Sequence, residues 1–158
     1  MKLKQKASIA AVALLVGGLG FVAVAQATPG SGTTIAGPQS TGILTGSVIG
    51  PTKTEQDGVT LKTLKETKVT TFDLTYPPGS FSGWHSHPGI VIAVVKSGSV
   101  VRQSGCKSQT FVAGESFTEV GSHYVSNPGT VDAVLSITRI YPSSGTATPR
   151  IDQPAPVC

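Results

Sequence analysis

Charged side chains are scarce in this chain: Asp, Glu, Lys and Arg make up only 13% of its 158 residues. Aromatic residues account for 6%, and there are only three histidines, two cysteines and one tryptophan. So little charge, beside 39% hydrophobic residues, excludes a disordered polyampholyte and a coiled coil. The sequence also lacks a Ser-His-Asp order, a phosphate-binding loop and a Gly-rich nucleotide motif, so those classes of site are not expected.

A basic cluster is also missing from the sequence after residue 27. The formal net charge is +4, but three of the twelve Lys and Arg residues are Lys2, Lys4 and Lys6. Without these three, the remaining Lys and Arg nearly balance the eight Asp and Glu residues. We therefore expect neither nucleic acid nor an anionic membrane surface as a partner.

The first 27 residues have the pattern of a secretory signal peptide. A basic segment, residues 1–6, precedes the apolar residues 7–25, and Ala25 and Ala27 form a small-x-small site for cleavage before Thr28. The apolar stretch is nearly long enough to span a bilayer, so an uncleaved N-terminal anchor is the alternative. The pattern predicts a secreted or periplasmic protein that has no membrane contact after cleavage.

Both cysteines, Cys106 and Cys158, lie in the part that would be exported. An oxidising compartment favours a disulfide between two cysteines of one small domain. Cys106 lies in a short polar turn and Cys158 follows a Pro-rich tail, so this bond would attach the tail to a hairpin. Two free thiols or an intermolecular bond are the alternatives.

Short alternating or apolar segments, separated by Gly, Ser, Asn and Pro, indicate many short strands. Phe72, Leu74 and Tyr76 alternate with polar residues, and residues 130–141 alternate again. Residues 90–95 are continuously apolar, which is typical of a strand buried on both faces. The pattern predicts an all-β sandwich or jelly-roll barrel. We assign residues 1–27 to the signal peptide, 28–56 to an extended N-terminal arm that adds one strand at most, 57–142 to the barrel and 143–158 to a Pro-rich tail.

The three histidines have the spacing of a metal site. His85 and His87 are two residues apart, so in a strand they point to the same face. His123 falls on a later strand, which a barrel can bring alongside the first pair. Three imidazoles suit a first-row transition metal and would leave up to three positions open in octahedral geometry. The alternative is that the histidines no longer bind metal.

Two segments resemble the motifs of the cupin superfamily. Gly79 precedes the His85–His87 pair by five residues, and Gly98 lies where the first motif ends. The second motif begins at Gly114 and ends with His123, three residues and Asn. The layout also resembles small exported bacterial single-domain cupins, which have a Cys between the motifs and a final Cys. The resemblance implies a single cupin jelly-roll β-barrel, also described as a double-stranded β-helix.

The first motif departs from the cupin pattern at its acidic ligand, because Val91 stands where cupins have Glu. We therefore expect a metal site of three neutral imidazoles, with no carboxylate bound to the ion. Glu119 lies near the second motif and is assigned to the rim, and the alternative is a base behind the metal ligands or a replacement ligand. Tyr76 and Tyr124 are assigned to the core or the rim, and lining the barrel mouth is the other interpretation.

The resemblance implies one divalent transition metal (Fe, Mn, Ni, Cu or Zn) and a small-molecule ligand. Cupins with three histidines include dioxygenases, so the first hypothesis is an exported metal-binding oxidoreductase of the dioxygenase type that acts on a small chelating molecule. The second is a non-enzymatic module that binds a small ligand or a metal, which the lack of an acid–base pair favours. Many cupins dimerise through their sheets, so a homodimer is one option.

Overall fold

The computed structural model describes residues 30–144 and 150–158, so the signal-peptide prediction lies outside the described residues. Within those ranges no helix has the length and apolar character needed to cross a bilayer. A short 3-10 turn, Thr45–Ser47, is the helical element of this part. The strands are β1 Thr34–Ile43, β2 Thr52–Gln56, β3 Val59–Thr63, β4 Thr67–Tyr76, β5 His85–Ser86, β6 Ile90–Ser97, β7 Ser99–Ser104, β8 Lys107–Val112, β9 Ser116–Glu119, β10 Tyr124–Ser126, β11 Ala133–Pro142 and β12 Ile151–Asp152.

Two antiparallel layers form the barrel. One is a five-stranded sheet in the order β1-β4-β11-β6-β9. The other contains β10-β7-β8, and the β12-β5 ribbon extends it through an isolated bridge between His85 and His123. Non-consecutive strands are neighbours in both layers, as in a jelly roll and unlike a simple meander. The predicted all-β barrel is confirmed.

The core fills the space between the two layers. Inward side chains of β4, β6, β9 and β11 in one layer meet those of β7, β8 and β10 in the other, and together they form one buried cluster. Its members are Tyr76, Val91, Ala93, Val95, Val100, Phe111, Phe117, Val125, Ala133, Leu135 and Ile137. Alternate residues of each strand supply this core, which is why the period-two pattern predicts these strands well.

The expectation that β6 is buried on both faces is wrong. Its apolar run predicts burial on both faces, but only Val91, Ala93 and Val95 point into the core. Ile92 and Val94 are 36% and 40% exposed on the outer face. An antiparallel sheet with one face on the core leaves its other face open, and an apolar run alone cannot show this.

The segment assigned to the N-terminal arm contributes two strands. β1 pairs with β4 at the edge of the large sheet and carries a bulge between Ala36 and Ser40. β2 pairs with β3 in a separate hairpin, so paired strands cross the boundary drawn between residues 56 and 57. The single extra strand expected in the arm corresponds to β1, and β2 lies outside the main sheets.

Two attachments hold the C-terminal tail on the barrel. The Cys106–Cys158 disulfide links it to the turn between β7 and β8, as predicted. At the other end, β12 pairs with β5, with Ile151 opposite Ser86 and Asp152 opposite His85. A hydrogen bond from Gln153 N to Trp84 O, 2.9 Å long, continues this pairing. The tail therefore lies beside the strand that carries the first histidine.

Gly98 lets the chain turn sharply where β6 meets β7. Its φ of +70° lies in the left-handed region, and a Cβ added there would lie 2.5 Å from the carbonyl oxygen of Asp132. Only glycine combines that conformation with so close an approach. The glycine that resembles the end of the first cupin motif thus has a packing role at this end of the barrel.

Candidate metal centre

Backbone pairing sets the positions of two histidines. His85 in β5 and His123, just before β10, exchange both backbone hydrogen bonds, each 2.9 Å long. Directly opposed residues on neighbouring strands point to the same face, so both imidazoles enter the barrel. His87 lies two residues after His85 and follows it into the same space.

The three predicted histidines converge. The ring centroids are 4.3 Å apart for His85 and His123, 4.7 Å for His85 and His87, and 5.2 Å for His87 and His123. His85 and His123 are 5% and 0% exposed, and the side chain of His87 is 12% exposed. The i, i+2 spacing and the second motif therefore identify residues that the fold brings together.

Glu119 also lies in this cluster, which differs from its assignment to the rim. Its Oε2 atom lies 3.3 Å from Nε2 of His87 and 3.4 Å from Nε2 of His123. The residue is 7% exposed. One potential ligand atom from each of His85, His87, Glu119 and His123 falls within 4.8 Å of the others. The expectation of a cluster without a carboxylate is thus replaced by a group of three imidazoles and one carboxylate.

The alternation of residues in β9 predicts that the carboxylate of Glu119 points into the barrel. Phe117 points into the core, so Glu119, two residues later, must point the same way. A charged residue on the inward face of a strand needs a partner or an ion, because burying an isolated charge is costly. The alternation within β9 thus places Glu119 inside, but only the pairing of β9 with β6 brings it to the histidines.

Backbone carbonyls orient two of the imidazoles. Nδ1 of His85 lies 2.9 Å from Gly83 O, and Nδ1 of His123 lies 2.9 Å from Gly121 O. A carbonyl oxygen only accepts hydrogen bonds, so each Nδ1 carries the proton and donates it. The lone pair of each ring is then on Nε2. Metal-binding histidines are commonly held in this way by a second partner.

An unsatisfied buried atom shows that the cluster fits a metal ion. Nε2 of His123 is buried and has no hydrogen-bond partner among the described residues. Ligand atoms about 2.1 Å from one ion lie roughly 3 to 4.2 Å apart, which is compatible with the 4.8 Å limit of this group. An ion would give Nε2 the partner that it lacks. The donor set of imidazole and carboxylate suits first-row transition metals.

The electrostatics favour the protonation states that bind metal. Burial, together with the nearby His123, lowers the pKa of His85 to about 3. Burial opposes ionisation of Glu119, but the imidazoles of His123 and His87 more than offset it and hold the pKa of that carboxyl below its ordinary value. At neutral pH His85 is neutral and Glu119 is ionised, as metal ligands must be.

The cluster opens into a cavity at one end of the barrel. The outer part, about 390 Å³, is lined by His85, His87, Tyr76 and Arg150 together with Ile35, Phe72 and Leu74. A smaller inner part, about 70 Å³, adds Val91, Glu119 and Arg139. Its total size suits a small organic molecule. An ion held by the cluster would therefore face a space that a ligand can enter.

The two tyrosines have different positions. Tyr76 is 4% exposed, belongs to the core cluster and also lines both parts of the cavity. Burial, followed by the negative charge of Glu119, raises the pKa of its hydroxyl, so Tyr76 stays protonated at neutral pH. Tyr124 instead stacks on Phe81 at 5.8 Å and contacts Trp84 at 5.9 Å. Its ring belongs to an aromatic group with Phe81 and Trp84.

Asn127, which ends the second motif, holds backbone segments near the site together through hydrogen bonds of its side chain. Its Nδ2 donates to Tyr76 O at 2.7 Å and to Val131 O at 2.8 Å, while its Oδ1 accepts from Gly129 N at 2.9 Å. The side chain is 1% exposed. These bonds hold the end of β4 against the loop before β11, so the role of Asn127 in this structure is to position backbone.

The fold and the buried histidine cluster define a cupin-like β-barrel with a candidate metal site. No family model and no curated protein matches the sequence. Among solved structures, the chain is similar to the Cupin_2 domain of an XRE family transcriptional regulator from Enterobacter cloacae, with 19% identity, a TM-score of 0.41, and coverage of 46% of this chain and 80% of that one.

Two further solved structures resemble the chain to a similar degree. A cupin-like protein from Thermotoga maritima has 20% identity and a TM-score of 0.44, covering 57% of this chain and 77% of that one. Oxalate oxidase in complex with the substrate analogue glycolate has 23% identity and a TM-score of 0.40, covering 44% of this chain and 40% of that one. Two of these three structures are described as a Cupin_2 domain and a cupin-like protein.

Proposed function

We propose that this protein binds one divalent transition metal ion (Fe, Mn, Ni, Cu or Zn) through His85, His87, Glu119 and His123. The observation that carries the proposal is the convergence of four ligand atoms within 4.8 Å of one another, three of them on buried residues and one on the partly buried His87. Hydrogen bonds from Nδ1 to backbone carbonyls support it by directing two imidazole lone pairs inward. Four protein ligands would leave up to two positions of an octahedral ion for other molecules.

The cavity beside these ligands favours a small-molecule oxidoreductase of the dioxygenase type. A redox-active ion would supply the electron chemistry that the surrounding side chains lack. The chain's own contribution is to hold the ligands rigidly and to surround the substrate with apolar walls, formed by Phe72 and Leu74. A small chelating molecule fits this arrangement, because it can fill two adjacent open positions.

The structure also offers an observation in favour of a module that binds without turnover. Among the described residues that line the cavity, the titratable groups outside the cluster are Tyr76, Arg139 and Arg150. The Tyr76 pKa is raised, and arginine stays protonated. A general acid or base that works near neutral pH is therefore missing from this set. The alternative function is a cupin-like protein that binds a metal or a small ligand.

Metal analysis tests the proposal directly. Protein purified without chelators should contain about one equivalent of a transition metal or take one up on titration, as cooperative use of all four ligands requires. The His123→Ala variant should lose most of this binding. Glu55→Gln serves as control, because Glu55 pairs with Lys53 on the surface and belongs neither to the cluster nor to the lining of the cavity. Absence of stoichiometric binding for all five metals would refute the proposal.

Oxygen consumption separates the enzyme from the binding module. The iron-loaded protein should consume O₂ in the presence of a small chelating substrate, and the His123→Ala variant should not. Stoichiometric metal and ligand binding without any turnover would instead support the module.

We further propose that the mature protein begins near Thr28 and is located outside the cytoplasm. The Cys106–Cys158 disulfide supports this, because such bonds persist in oxidising compartments. N-terminal sequencing of the exported protein should begin at or near Thr28. A sequence that begins at Met1 would contradict cleavage and support the membrane anchor.

A further inference from the structure

The C-terminal tail adds a positive charge to the mouth of the cavity. Arg150 immediately precedes β12, whose first residue, Ile151, lies opposite Ser86. Continued by one position, this register places Arg150 opposite His87, and paired residues of a ribbon point to the same face. Arg150 accordingly lines the outer cavity together with His85 and His87. A residue 63 positions away from His87 thus becomes part of the same space.

The hydrogen bonds of Arg150 are incomplete. Its Nε donates to Oδ1 of Asp152 at 2.6 Å, which fixes the direction of the guanidinium group. Its Nη2 atom is buried and has no hydrogen-bond partner in residues 30–144 and 150–158. An unsatisfied buried donor is costly, and it costs more when it belongs to a charged group. The guanidinium is therefore oriented by one partner and lacks another.

Charge and shape around Arg150 indicate what that partner is. Glu119 is the one acidic residue among the described side chains that line the cavity, and it is committed to the histidine cluster. A divalent ion beside one carboxylate retains a positive charge and attracts anions. Asp152 partly offsets the charge of Arg150 at Nε, but the buried Nη2 donor still lacks an acceptor. The planar guanidinium matches a carboxylate in particular.

The second cavity arginine is already engaged. The guanidinium of Arg139 lies over the rings of Phe72 and Tyr141, with its carbon 5.8 and 5.2 Å from their centroids. Such cation–π contacts hold the group on aromatic surface. Arg150 has no such contact among those found in the described residues. Arg139 is consequently a matched control: it has the same chemistry and the same cavity, but different partners.

We propose that Arg150 binds the carboxylate of a small anionic substrate whose oxygen donors occupy the open metal positions at the histidine cluster. This inference rests on the proposed metal site and specifies its ligand as a small carboxylic acid, anchored at the metal end and at the tail. Asp152 then acts as a positioning residue, since it holds Nε and leaves the outer edge of the guanidinium for the carboxylate.

Calorimetry on the full chain loaded with Zn²⁺ tests this assignment, because zinc has no redox chemistry and the probes remain intact. The probes are pyruvate, malonate and 2-oxoglutarate, with methyl pyruvate and malonamide as uncharged counterparts. We expect at least one carboxylate to bind and its uncharged counterpart to bind far more weakly. Loss of a charged hydrogen bond predicts a roughly 10- to 100-fold weaker affinity for Arg150→Met. Arg150→Lys should be intermediate, and Arg139→Met should retain most of the affinity.

The outcomes distinguish this inference from the metal proposal. If the wild-type chain takes up no zinc, the metal proposal fails, and the inference that rests on it fails too. If zinc binds with unchanged stoichiometry in both variants, but Arg150→Met binds the probes as tightly as the wild type does, only the Arg150 assignment is overturned. The same conclusion follows if Arg139→Met causes the larger loss, if the uncharged probes bind equally well, or if none of the three carboxylates binds.

Discussion

Val91 and Glu119 face each other as a cross-strand pair between β6 and β9. Val91 is 1% exposed and belongs to the apolar core, while the carboxylate of Glu119 reaches His87 and His123. Paired side chains lie about 5 Å apart on the same face of a sheet, so a carboxylate on either strand can approach the same imidazoles. The acidic group of the cluster therefore comes from β9, the neighbour of the strand that follows the histidine motif.

Transferring the carboxylate from position 119 to position 91 tests its role in metal binding. Replacing Glu119 by Val should weaken metal binding by at least about tenfold, because even outer partners of metal ligands contribute that much. Adding Val91→Glu to this variant returns a carboxylate to the same face and should recover much of the affinity. Metal titration of the single and the double variant provides the measurement. No recovery in a folded double variant would show that the position of Glu119 itself is required.

The metal-free protein should lose stability as the pH falls from about 6.5 towards 3. The folded pKa of His85 is lowered to about 3 by burial and by His123, whereas an unfolded histidine titrates near 6.5. In that window the unfolded chain binds more protons, so the free energy of unfolding decreases as pH decreases. One such group contributes at most about 1.4 kcal/mol per pH unit. Denaturant unfolding in the presence of a chelator, with His85→Gln as the comparison, checks this slope. An equally steep slope in that variant would assign it to other groups.

Two motif glycines should differ in their tolerance of alanine. Gly98 and Gly79 both have positive φ, +70° and +76°, but only Gly98 approaches other backbone, and nothing lies within 4 Å of a Cβ added to Gly79. Gly79→Ala should cost only the left-handed strain, about 1–2 kcal/mol. Gly98→Ala should cost more, because its Cβ would overlap the carbonyl oxygen of Asp132. Chemical denaturation of both variants measures the difference, and equal losses would contradict the packing argument.

The disulfide should protect both cysteines from alkylation unless the protein is reduced. Intact mass should show no label without reductant and two labels after reduction. The bond spans 52 residues, so in the chain-entropy model Cys158→Ser should lower the free energy of unfolding by up to roughly 4 kcal/mol. Cys106→Ser removes the same bond and should give a similar loss. A label on either cysteine of the unreduced wild type would contradict the bond.

The barrel and the histidines can be predicted because their signals are local. Apolar and polar residues alternate with period two in β4 and β11. Residues spaced like His85 and His87 point to the same face of any strand. The approach of Glu119 to the histidines cannot be predicted in this way, since it depends on the register that sets it against Val91 across two strands. The position of Arg150 at the cavity cannot be predicted from the sequence either. β12 has only two residues, too few for a periodic pattern, and the position of Arg150 depends on the pairing of β12 with β5.

The disulfide that holds the C-terminal tail affects how persistently the two-residue strand β12 stays paired with β5. Free in solution, a segment with so few paired residues would seldom stay on β5, since even a full hairpin is marginal in water. Arg150 is eight residues from Cys158, so the disulfide keeps it within roughly 26 Å of its anchor even if β12 detaches. The chain also tethers Arg150 on its other side, because β11 ends eight residues earlier at Pro142, so rebinding is intramolecular and the disulfide adds a second tether. Reducing conditions would remove this second tether, so the mouth of the barrel should be complete less often in reducing surroundings.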